Sequence, residues 1–60
     1  MYAVLIQVDG LDRYAEIGTG DFEQQRALYH ATVRAEQGQV EPRRVLLINI
    51  LDASDDRPGV

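Results

Sequence analysis

Asp52, Ser54, Asp55 and Asp56, in the stretch LDASDD, are the residues whose types and spacing come nearest to a catalytic or ligand set. Oxygen ligands at alternate positions after an apolar strand are how a calcium loop begins. An EF-hand would take Asp52, Ser54 and Asp56 as its first, third and fifth ligands. Its sixth position must turn sharply and is normally glycine, and Arg57 stands there. The adjacent pair Asp55 and Asp56 suits acid–base chemistry only if a cleft drives their pKa values apart, and sixty residues leave little room for one.

The D-x-S spacing also resembles, over a few residues, the metal-ion-dependent adhesion site of von Willebrand A domains. The second serine of that motif is missing, because position 56 is Asp. That family's large α/β domain does not fit in this length. No metal is expected here, and the acids read as a solvated terminus able to oppose a basic partner.

His30 is the one histidine and there is no cysteine, which excludes disulfides, cysteine-containing zinc and iron–sulfur sites, and histidine clusters. Ser54 is the one serine, and no histidine–carboxylate pair is placed beside it by any motif. Gly18-Thr19-Gly20 lies between a strand and a helix, as phosphate loops do. It lacks both the dinucleotide fingerprint and the P-loop lysine, and Asp21 would repel a phosphate. A turn followed by a helix cap is expected instead. These absences point to a non-enzymatic protein with no cofactor.

Arg26, His30 and Arg34 recur every four residues and form a basic row, diluted by Glu23 one turn earlier. With Arg43 and Arg44 they could contact nucleic-acid phosphates. The overall balance opposes that: ten acids against six arginines give a net charge of −4, and non-specific binding to nucleic acid depends on neutralising phosphates. No apolar run nears the ~20 residues that cross a bilayer. The N-terminus enters a strand with no basic leader, so a cytoplasmic protein without membrane contact is expected.

Four elements must hold these residues. YAVLIQV, 2–8, is strand-like. Asp9-Gly10 signals a tight hairpin, and LDRYAEI, 11–17, is the return strand. A two-residue turn pairs Ile6 with Arg13 and Val4 with Ala15; a four-residue loop shifts the pairs by two and keeps the faces. Gly18-Thr19-Gly20 breaks the strand. Thr19 or Asp21 caps a helix over about 21–37, and Gly38 suits a left-handed C-terminal cap. Phe22, Leu28, Tyr29, Thr32 and Val33 form its sheet-facing stripe. Pro42 prevents its resumption, and RRVLLINIL is the last strand. The result is an α+β fold: ββαβ, a three-stranded antiparallel sheet in order 2-1-3 with one helix on one face. Residues 1–51 form a single domain, and 52–60 a flexible acidic tail.

One helix covers one sheet face, yet VLLINIL is apolar on both. Leu46, Ile48 and Ile50 are the more uniform set, expected to join Val4, Ile6 and Ile17 under the helix. Leu5, Tyr14, Val45 and Leu47, with Ala3, then lie on the open face, where exposed apolar groups mark an interaction surface. A chain of this size buries only about 60 % of its unfolded surface, so a second copy would relieve a thin core. The expected function is a small acidic protein-binding module, an inhibitor or adaptor that masks a macromolecular surface, as a homodimer through the open face or a strand edge. In size and charge it resembles the inhibitors of phages and mobile elements, anti-CRISPR decoys included. The candidate contact residues are Leu5, Tyr14, Val45, Leu47, Arg26, His30, Arg34, Asp52, Asp55 and Asp56. The alternative is a regulator that touches nucleic acid through Arg26, His30 and Arg34.

Overall fold

A computed structural model of the chain describes residues 1–51. The order is β1 (Tyr2–Gln7), β2 (Tyr14–Gly20), α1 (Phe22–Gln37) and β3 (Val45–Asn49). The three strands form one antiparallel sheet in the order β2-β1-β3, the α+β arrangement expected from the sequence. The expected tail, residues 52–60, lies outside the described residues.

The hairpin opens at Asp9-Gly10, both with positive φ, 50° and 70°. Such a pair matches the twist of the flanking strands, and Gly10 adopts it without a Cβ penalty. The Leu11 N–H donates to the Val8 carbonyl at 2.8 Å, but the Val8 N–H reaches on to Arg13 at 2.9 Å. The connection is therefore the four-residue loop, and Ile6 pairs with Ala15, not Arg13.

Gly18-Thr19-Gly20 does not break β2; it forms its second half. The register slips by one between Val4 and Leu5, so Leu5 pairs with Glu16 while Val4 pairs with Gly18. Ile17 is the extra residue of this bulge. It was expected under the helix and is instead 42 % exposed. The slip exchanges Ile17 for Gly18 opposite Val4, and the helix needs that exchange. A Cβ at Gly18 would lie 2.5 Å from Leu28 Cδ2 and 2.9 Å from Gln25 Oε1.

Asp21 is the N-cap, its carboxylate accepting the Gln24 N–H at 2.8 Å. Gly38 ends the helix, but with φ −86° and not in the left-handed region. Tightened bonds from Gly38 N–H to Ala35 and from Gln39 N–H to Glu36 close the last turn instead. Leu28, Tyr29, Thr32 and Val33 are half-buried as their spacing predicts. Phe22, at the start of the stripe, stays largely exposed, its ring 5.0 Å edge-on from Tyr2.

The faces of β3 are the reverse of those expected. Tyr2, Val4 and Ile6 pair with Asn49, Leu47 and Val45; Ala3 and Leu5 pair with Ile48 and Leu46. Paired residues share a face, and Val4 with Gly18 lies under the helix. Val45 and Leu47 are therefore on the helix side, and Leu46 and Ile48 on the open side. Arg43 supplies the reason. Its main-chain N–H and its guanidinium are both held by the Glu36 carboxylate on the helix. With Arg43 fixed to the helix side, alternation puts Val45, Leu47 and Asn49 there too.

Among the described residues the buried apolar core is Ala3, Val4 and Ile6, all on the central strand.

Candidate binding surface

The sheet face that no other described element covers is a grid read from the ladders. Thr19, Ala3 and Ile48 form one row; Glu16, Leu5 and Leu46 the next. Tyr14 and Gln7 continue it, with Arg44 beyond Gln7 through the 2.9 Å bond from Gln7 N–H to the Arg44 carbonyl. At the other end the Ile50 N–H donates to Met1 at 2.7 Å. The apolar residues Ala3, Leu5, Leu46, Ile48 and Ile50 thus fill β1 and β3. Polar ones, Thr19, Glu16, Gln7 and Arg44, line the β2 side and the far end. Ile48 remains 37 % exposed, and the apolar patch runs out to the free edge of β3.

Among the described residues, β2 and β3 have no strand on their outer sides, and these two edges differ. That of β2 carries the bulge, Glu16, Gly18 and Gly20. That of β3 is a regular run, VLLIN, with no charge, proline or glycine. Edges are usually guarded by such irregularities and charges; among the described residues the β2 edge carries them and the β3 edge does not.

Of the expected contact residues, Leu5 and Tyr14 lie on this face, whereas Val45 and Leu47 lie on the opposite one. Arg26, His30 and Arg34 are exposed along the helix. The Arg26 guanidinium rests 5.9 Å above the Phe22 ring, and His30 meets Tyr29 edge-on at 5.4 Å. This row is remote from the open face, on the other side of the sheet. Asp52, Asp55 and Asp56 lie outside the described residues. Among those described, no three His, Cys, Asp or Glu side chains are grouped to hold a metal. No helix of the described residues is long and apolar enough to cross a membrane.

Two buried polar residues were not expected: Gln25 and Glu36. Their positions offered a signal, since Gln25 lies three before Leu28 and Glu36 four after Thr32, in line with the stripe. Their polar type argued otherwise. The Glu36 carboxylate accepts the Arg43 N–H at 2.9 Å and both Nε and Nη2, at 3.3 and 2.7 Å. The guanidinium hydrogen bonds, reinforced by the main-chain bond, hold its pKa below the usual value, and burial opposes them only in part. The same bonds raise Arg43 further, with Asp9 adding to the effect. Gln25 differs: its Oε1 is buried without a hydrogen-bond partner.

A groove of about 300 Å³ opens at the hairpin end, lined by Gln7, Asp9, Gly10, Glu41, Pro42 and Arg43. Two of its four polar side chains, Gln7 and Arg43, are committed. The Gln7 amide bridges two loops, donating to the Leu11 carbonyl at 3.0 Å and accepting from the Arg44 N–H at 3.3 Å. Arg43 is bound to Glu36. The groove joins the loops and presents no nucleophile with a base beside it.

No protein-family model matches the chain, and no curated protein or solved structure is significantly similar to it.

Proposed function

We propose that this chain is a small non-enzymatic binding module, an inhibitor or adaptor that masks another protein's surface with its uncovered sheet face and the adjoining β3 edge. The observation that carries this is the apolar patch of exposed Ile48 and half-buried Leu5, Leu46 and Ile50, packed around the small, buried Ala3, which no other element of the described chain covers. A soluble sheet normally places polar residues on an unpacked face, and contiguous exposed apolar groups serve contact. The polar border of Glu16, Gln7 and Arg44 fits the rim of an interface. The net charge of −4 favours a basic partner.

The test is retention of a partner from extracts of the source cell by the immobilised chain. Ile48→Asp should abolish retention while far-UV circular dichroism stays unchanged, and Glu23→Ala should not affect it. Retention that survives Ile48→Asp would remove the proposal. The exposed row of Arg26, His30 and Arg34 supports a second reading, contact with nucleic acid. That reading requires binding to generic DNA or RNA that falls steeply with salt and disappears in Arg26→Ala/Arg34→Ala.

A further inference from the structure

We infer that the β3 edge is occupied by a second copy of this chain, paired antiparallel about Leu47 to give a six-stranded sheet of order 2-1-3-3-1-2. The inference rests on the proposal that this edge belongs to the binding surface, and it names the occupant and the register.

The ladder dictates which groups are free. The Arg44 carbonyl and the Ile50 N–H are bonded to β1. In an antiparallel pair, residues alternate between facing the neighbour and facing away. Leu46 and Ile48 therefore face β1 as well, and the amides of Val45, Leu47 and Asn49 point outward. A strand pairing with this edge must align with those three.

The residues are self-complementary in that alignment. Leu47 meets the partner's Leu47, Val45 the partner's Asn49, and Leu46 the partner's Ile48. The pairs of Leu46 with Ile48 join the two open faces into one apolar surface. The two-fold axis is perpendicular to the sheet, so both helices lie on the same side.

Charge order selects an antiparallel second copy. Arg43-Arg44 precede β3, and in the sequence Asp52 is the first charge after it. Pairing about Leu47 sets Arg43 opposite the partner's Leu51, so the basic end of each chain meets the end of the other that carries no arginine among the described residues. The two Arg44 residues are then six positions apart, roughly 20 Å, well beyond the ~8 Å screening length of physiological salt. Parallel pairing would instead place arginine beside arginine. Shifting the register two residues toward the N-terminus keeps the amide pattern but draws the arginines together.

The test uses the full chain made by chemical synthesis, with N-methyl-leucine at position 47. This removes one outward N–H from each copy and leaves the bonds to β1 intact. Sedimentation equilibrium of the unmodified chain should give twice 6.7 kDa. N-methylation should weaken the dimer about twenty-five-fold, because two hydrogen bonds are lost, each worth about a factor of five, with circular dichroism unchanged. The register is tested separately by Leu46→Glu and Ile48→Lys. Each alone should weaken association, and mixing the two variant chains should restore it, since the new acid then faces the new base. A monomer up to millimolar concentration overturns the inference, as does a dimer indifferent to N-methylation or a mixture that fails to recover. A dimer lost in Leu5→Asp but not on N-methylation also overturns it, while keeping the open face as the contact. A monomer whose partner retention still depends on Ile48 leaves the proposed function standing alone.

Discussion

Gly18 is where a single missing methyl group decides how closely helix and sheet approach. Gly18→Ala sets a Cβ against Leu28 and Gln25, so it should destabilise the fold by about 1–3 kcal/mol, as overpacking does. The urea midpoint reads this, and a second change, Leu28→Val, should return part of the loss. Gln25 predicts the opposite sign. Its Oε1 is desolvated without a partner, so Gln25→Met should raise the thermal midpoint, corresponding to about 1 kcal/mol. Glu36 makes stability depend on acid. Its folded pKa lies below the ordinary 4.5, so its bond to Arg43 contributes fully above that value. The contribution is lost as pH falls through the folded pKa. Acid unfolding followed by circular dichroism should therefore steepen below pH 4.5, and Glu36→Gln should flatten that part of the curve. Gln25 and Glu36 were illegible in the sequence because polar type and helical position gave opposite answers. At Glu36 position won because Arg43 arrives to satisfy the carboxylate; at Gln25 it won without a hydrogen bond to Oε1.

The elements themselves were largely legible, because periodicity and breakers report local preference. Helix α1 lies where the cap, the stripe and Gly38 place it, and Asp21→Ala should cost about 1 kcal/mol, measured as a lowered urea midpoint. Strand faces are another matter. Alternation says which residues share a face, not which face meets the helix. For β3 that choice was made by Arg43 gripping Glu36, a contact seven residues apart in sequence that hydrophobicity does not reveal. The larger, more uniform set, Leu46, Ile48 and Ile50, was consequently assigned to the core when it belongs outside. β2 misled for a different reason. Glycines read as a break, but Gly18 serves as the space into which Leu28 and Gln25 fit. The bulge at Ile17, which makes that fit possible, has no signal in composition.

At the scale of the described residues, the deduction that the helix leaves one sheet face uncovered is unaffected by the exchange, since β3 is apolar on both faces. What changed is its membership: Leu46 and Ile48 replace Val45 and Leu47 beside Leu5 and Ala3. Of the four sheet residues expected on that face, Leu5 and Tyr14 lie there and Val45 and Leu47 do not, and the variants that probe it move accordingly. Leu47→Asp would strike the helix packing and should unfold the chain, whereas Ile48→Asp should leave it folded. Circular dichroism of the two variants separates the assignments directly.

The unlike edges of the sheet have a consequence for assembly without limit. Strand-by-strand growth into a fibre requires that every added copy offer a fresh template. Each copy here has one usable edge, and the other is spoiled by Ile17 and the two glycines. Joining two copies through β3, as inferred above, would consume both usable edges and leave only bulged ones outward. In the dimer inferred above, the bulge that lets a helix settle on Gly18 would therefore also set an end to sheet growth, at six strands.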